Sequence, residues 1–223
     1  MIDLIKKNKL FYILTAVFWA VCVVVLLSMY KGRPLVLINS LHQPVLDYFF
    51  FIATYIGDGL FSVCFLLCIF LFVNMRKSIV ITIVFLLVVA VVQYFKNVLF
   101  DGEPRPFVYL QGTEGLYYIP WLEIHRFNSF PSGHTAQAFC FALCLCFYDV
   151  KKKYTTWLFI LALLTGLSRM YLMQHFLADV FAGSLIAVSL TTLVFPLLEY
   201  RKSILQRPGL DQSLISFLKK DKS

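Results

Sequence analysis

Two histidines in this chain stand among residues that suit phosphate chemistry. His134 closes the tetrapeptide Pro131-Ser132-Gly133-His134, and His175 follows Arg169 by six residues and precedes Asp179 by four. Lys96 ends an apolar run, and Arg105 stands in Glu103-Pro104-Arg105-Pro106. Singly, Lys96, Arg105 and Arg169 read as side chains snorkelling from helix ends. Together, beside two histidines, they read as ligands. An arginine offers a planar fork of donors matched to phosphate oxygens. Three cations around one dianion also stabilise charge on a phosphoryl group in transfer. Arg126 has no motif around it and reads as a loop or headgroup contact.

The tetrapeptide adds backbone to these side chains. Ser132 can cap a helix that begins at this point, and Gly133 leaves room for a ligand to approach its N–H. A helix N-terminus with free N–H groups is a prepared anion site. His134, in the first turn, places an acid beside that site. The plain alternative is a turn and a cap. His175 and Asp179 share one helix face. A carboxylate within an apolar run is costly unless paired. The His175 ring is its nearest partner, held by one nitrogen so that the other is free. That arrangement makes His175 a candidate nucleophile and Asp179 its orienting group. The alternative is a metal pair, which needs a third protein ligand in surroundings that are cationic instead.

The elements that hold these residues are apolar. Of 223 residues, 60% are hydrophobic and 14% charged, against about a quarter charged in soluble domains. Lipid is the better solvent for such a chain. The net charge of +8 falls in short clusters between apolar runs, which suits helix ends at a membrane and not a nucleic-acid groove. All six cysteines lie inside the runs without a CxxC pair, so neither a disulfide framework nor a zinc site is expected.

Six spanning helices are expected, over about Leu10–Tyr30, Leu60–Val73, Ser78–Phe95, the run from the tetrapeptide to Tyr148, Tyr154–Met173 and Phe176–Leu198. The first has no small-x-small cleavage pattern and reads as a retained helix. Pro44–Tyr55 reads as an interfacial helix, and Gly57-Asp58-Gly59 as a break. The fold expected is all-α, an integral membrane six-helix bundle forming a single domain over residues 1–223, with a basic cytoplasmic tail at 199–223. With both termini cytoplasmic, lysines and arginines divide 14 inside to 6 outside, a positive-inside bias. Lys96, Arg105, the tetrapeptide and the Arg169–His175 turn then meet at the outer face.

These motifs resemble the signature of the type 2 phosphatidic acid phosphatase superfamily. Its second part is Pro131-Ser132-Gly133-His134, and its third is Ser168, Arg169, His175 and Asp179 in the full spacing. Its first part is a lysine, six residues and Arg-Pro; here eight residues, 97–104, separate Lys96 from Arg105-Pro106. The resemblance is concentrated in residues 60–198. It implies that His175 attacks phosphorus, Asp179 holds its ring, and His134 protonates the leaving oxygen and later activates water. Lys96, Arg105, Arg169, Ser132 and the Gly133 N–H would hold the phosphate oxygens, with no metal or other cofactor. The expected partners are a membrane lipid phosphate and the bilayer, with no nucleic acid and no obligatory protein. The expected enzyme is a lipid phosphate phosphatase of a bacterial inner membrane with its site facing the periplasm. Lipid A phosphate ranks first among its substrates, with undecaprenyl diphosphate, phosphatidylglycerophosphate and phosphatidate behind it. A non-enzymatic transport or assembly protein on the same scaffold, and a soluble haloperoxidase-like enzyme, are the weaker readings.

Overall fold

The computed structural model describes residues 2–148, 152–200, 205 and 207–220. Its helices are α1 (Ile2–Lys7), α2 (Lys9–Ser28), α3 (Arg33–Asn39), α4 (Pro44–Thr54), α5 (Gly59–Cys68), α6 (Met75–Tyr94), α7 (Pro106–Tyr109), α8 (Gly133–Phe147), α9 (Thr155–Tyr171), α10 (Leu177–Tyr200) and α11 (Leu214–Lys220). No strand occurs among the described residues. In lipid this is the expected outcome, because a helix satisfies its own backbone. Starts are set locally. Asp58 caps α5 by accepting from Leu60 N at 2.8 Å, and Asn74 caps α6 through Lys77 N at 2.9 Å. The chain continues past α5 in a π-helical turn, Ile69–Val73, and past α6 in another, Phe95–Leu99.

Helix α8 occupies the centre, packed by α6, α9 and α10. Phe139, Cys140, Leu143 and Cys144 on it are fully buried. The cysteines serve as small packing residues there, and all six in the chain are free. Polar contacts set the directions. Tyr12 meets Thr192 at 2.7 Å and Trp19 donates to Ser184 at 3.0 Å, so α2 runs antiparallel to α10. Arg76 pairs with Glu199 at 3.1 Å and Tyr148 donates to Glu199 at 2.9 Å. One end of the bundle therefore gathers the start of α6 and the ends of α8 and α10. The opposite end gathers the end of α6 and the starts of α8 and α10, where the candidate site lies.

The count of six spanning helices is not met. Among the described residues, three helices are long and apolar enough to cross a membrane: Lys9–Ser28, Met75–Leu99 and Leu177–Glu199. A fourth span results if Pro44–Gly57 and Gly59–Val73, which meet at a 57° bend, count as one. The physical reason is length. Helix α8 has 15 residues and α9 has 17, rising roughly 22 and 25 Å against a hydrocarbon core of about 30 Å. The segment read as interfacial is α4, the first half of the bent pair. Lys151, Arg201, Lys202 and Lys222 of the basic clusters lie outside the described residues.

Candidate active site

Asp179 is the anchor of the site. Its Oδ2 lies 3.1 Å from His175 Nδ1, accepts from Phe176 N at 2.9 Å, and accepts a short bond from Ser129 Oγ. His175 and Asp179 are each 1% exposed, so this carboxylate exchanges its water for three donors. Fixing Nδ1 leaves Nε2 of His175 as the ring atom free for chemistry. His175 lies in the turn joining α9 to α10, outside the spanning helices. Burial, with the charges of Arg105, Lys96 and Arg169, holds it well below the ordinary imidazole range. A neutral ring keeps its lone pair.

The start of α8 is tied to the backbone of the same residue. Ser132 N donates to the Asp179 carbonyl at 3.0 Å, and the Ser132 hydroxyl sits 2.8 Å from Thr135 Oγ1 while capping Thr135 N at 3.4 Å. A Cβ on Gly183 would collide with the Ser132 carbonyl, so only glycine lets α10 approach α8 this closely. At Gly133 a Cβ would touch nothing nearer than Val92 Cγ1 at 3.8 Å. Packing within the protein therefore does not require glycine there.

The cations converge. Lys96 Nζ donates to the Asn128 carbonyl at 3.2 Å, and Arg105 Nη2 reaches the same oxygen at 3.4 Å. Arg105 also donates from Nε to Phe127 O at 2.8 Å and from Nη1 to Gln174 O at 3.1 Å. Lys96 lies in the π-helical turn Phe95–Leu99, and across the eight intervening residues it and Arg105 reach one carbonyl. Arg169 Nη1 donates to Thr54 Oγ1 at 2.8 Å, while its buried Nε has no hydrogen-bond partner among the described residues. His134 lies within electrostatic reach of Arg169, His175, Lys96 and Arg105. All eight residues singled out from sequence thus fall at one end of the bundle.

Several contributors carry no sequence motif. Asn128, at φ 57°, turns the carbonyl shared by the two cations and accepts from Gly102 N at 2.9 Å. Ser129 donates to Asp179, and Gln174 holds Glu123 O at 3.0 Å. Asp58 Oδ2 lies 4.0 Å from His134 Nε2. His125 sits between Glu123 and Phe127, the two carbonyls tied to Gln174 and Arg105; burial and the Arg105 charge lower its pKa. The only hint of these in sequence is proximity to a motif, as with Ser129 beside the tetrapeptide, or a carboxylate at a break, as with Asp58. The loop aromatics are engaged in packing. Tyr117 donates to Asp47 at 3.0 Å, Trp121 stacks on Tyr48 at 5.5 Å, and Arg126 lies 5.7 Å from the Phe107 ring. For the metal alternative, no three His, Cys, Asp or Glu side chains gather as a metal site among the described residues.

An all-α bundle with buried cations, a His–Asp pair and a capped helix start at one end defines a membrane-embedded phosphatase of lipid phosphates. The pattern of the PAP2 superfamily matches residues 77–203, more than half of the chain, and the chain belongs to that superfamily. It is a membrane-associated lipid phosphatase of that superfamily. The crystal structure of Aquifex aeolicus LpxE is similar to it, with 30% identity and a TM-score of 0.64 over 74% of this chain and 94% of that one. The crystal structure of the first transmembrane PAP2 type phosphatidylglycerolphosphate phosphatase from Bacillus subtilis shares the fold at 22% identity. Its TM-score is 0.63 over 89% of this chain and 98% of that one. Among curated proteins, none matches the chain significantly.

Proposed function

We propose that the enzyme hydrolyses a lipid-linked phosphate through a phosphohistidine intermediate on His175. The observation that carries this reading is the His175 Nδ1–Asp179 Oδ2 contact of 3.1 Å, which holds the ring and leaves Nε2 free. Nε2 attacks phosphorus and the bond to the lipid oxygen breaks, with His134 giving its proton to that oxygen. Water then attacks the phosphoryl group, His134 takes the water proton, and the P–N bond breaks. Lys96, Arg105 and Arg169 balance the charge on the phosphoryl oxygens, and the Gly133 N–H and the α8 N-terminus add donors. No step needs a metal ion.

The favoured substrate is lipid A phosphate, with undecaprenyl diphosphate, phosphatidylglycerophosphate and phosphatidate as the alternatives. Phosphate release from a panel of these lipids by purified protein in detergent ranks them. The site is assigned to the periplasmic face of an inner membrane, with both termini cytoplasmic. Lys6, Lys7, Lys9, Arg76 and Lys77 on the cytoplasmic side, against Lys31 and Arg33 outside, support this orientation. Cysteines introduced into the 101–130 loop of a cysteine-free protein are expected to react with impermeant thiol reagents in spheroplasts, while one beside Lys77 stays unlabelled. The reverse pattern overturns the orientation.

The reaction is tested by separating the two histidines. His175→Ala abolishes phosphoenzyme formation with every substrate. His134→Ala slows lipid substrates by about 10²–10⁴-fold but partly spares p-nitrophenyl phosphate, whose leaving group needs no proton. In rapid-quench experiments with ³²P substrate, the acid-labile label resides on His175. Label on His134, or active wild-type protein without label on His175, ends this mechanism.

A further inference from the structure

An acid that must hold a proton sits here among cations. The groups facing His134 are Arg169 from α9, His175 from the turn before α10, Lys96 from the end of α6 and Arg105 from the loop. Each of these disfavours an imidazolium when it is charged. A general acid in such a place needs a nearby negative charge.

We propose that Asp58 is the positioning carboxylate of His134, stabilising its protonated form in the phosphatase reaction described above, on which this inference rests. Three features of the structure point to it. Asp58 lies at the 57° bend between Pro44–Gly57 and Gly59–Val73. A break in a spanning helix is tolerated where its backbone is covered by protein or lines a cavity, and this one is covered by the first turn of α8. A Cβ on Gly57 would collide with the His134 carbonyl and approach Thr165 Cγ2 to 2.7 Å, so the break is seated on the histidine without a gap. Finally, the two carboxylate oxygens divide their duties. Oδ1 caps α5 through Leu60 N at 2.8 Å, which fixes the χ angles and presents Oδ2 at 4.0 Å from His134 Nε2.

That separation matters. It is too long for a hydrogen bond, so the Nε2 proton stays available to the leaving oxygen while the charge still favours the imidazolium. The same charge assists the second step, in which His134 takes a proton from water. Because the side chains of His134 and Asp58 are 30% and 37% exposed, solvent screens the pair. The effect belongs at the low end of the range for close charges, about one pH unit.

Asp58→Asn is the informative variant. Asparagine caps a helix as well as aspartate does, so α5 keeps its start and only the charge is removed. In the wild type, the alkaline limb of the kcat/KM profile for a lipid phosphate reports loss of the His134 proton. Without the Asp58 charge the proton is lost sooner, so the limb moves down by about one pH unit. Above the limb the lipid substrate is hydrolysed about tenfold more slowly. p-Nitrophenyl phosphate changes much less, and Asp58→Glu restores the profile in part. Asp58 also acts on Arg169, and that offers the rival role. A variant with an unmoved limb but altered vanadate affinity assigns Asp58 to Arg169 and overturns the proposal. Superimposable wild-type and variant profiles overturn it as well. The underlying reading fails separately, through a wild type without lipid phosphatase activity or a His134→Ala variant with full activity.

Discussion

Lys96 and Arg105 share one acceptor, the Asn128 carbonyl, at 3.2 and 3.4 Å. Two cations from different elements are thereby held side by side. Arg105 spreads its fork over Phe127, Asn128 and Gln174, tying the long loop to the turn that carries His175. Lysine offers one point charge and cannot span these acceptors. Arg105→Lys is therefore expected to lower kcat/KM about 10²-fold, roughly 2.7 kcal/mol of transition-state stabilisation. Steady-state kinetics on the best lipid substrate checks this, and a loss of less than about threefold shows that only the charge of Arg105 is used.

Asp179 acts through orientation, so Asp179→Asn should retain most binding of a phosphate analogue yet lose about 10²–10⁴-fold in turnover. Ser129→Ala removes one of the three donors on the same oxygen and should cost about tenfold. Vanadate inhibition constants measured beside kcat separate the two quantities. Near-normal turnover in Asp179→Asn makes the carboxylate structural.

Metal-free chemistry predicts that activity survives EDTA and is blocked by vanadate, which mimics a five-coordinate phosphorus held by protein cations. Phosphate release before and after chelation is the measurement. Loss of activity on chelation, restored by Mg²⁺ or Zn²⁺, contradicts the mechanism.

Gly183→Ala introduces a methyl group against the Ser132 carbonyl. Backbone cannot rotate away as a side chain can, so α10 must shift, at a cost of about 1–3 kcal/mol. Thermal unfolding in detergent should show a lower midpoint, and activity should fall with it because Ser132 N and the Asp179 carbonyl separate. A variant with the wild-type midpoint and rate means that α8 and α10 tolerate a wider gap.

The chemistry of the site is legible in the sequence where it depends on short spacing. His175 precedes α10, so the expected shared helix face is not what joins the pair: Asp179 in the first turn of α10 reaches back to Phe176 N and the His175 ring, a contact as local as the Ser132 cap of α8. Hydropathy likewise makes the membrane legible. The number of spans is not, because composition marks apolar runs without saying where a helix stops. The break at Gly57-Asp58-Gly59 is legible from its glycines, and the 57° bend is found there; whether the two helices it joins make one span, and how short α8 is, are not. Tertiary structure alone brings Asn128 to Lys96 and Arg105, Ser129 to Asp179, Thr54 to Arg169 and Asp58 to His134. These contacts join segments far apart in the chain, and their geometry follows from how loops and helix ends close over a common point. No local periodicity encodes that closure.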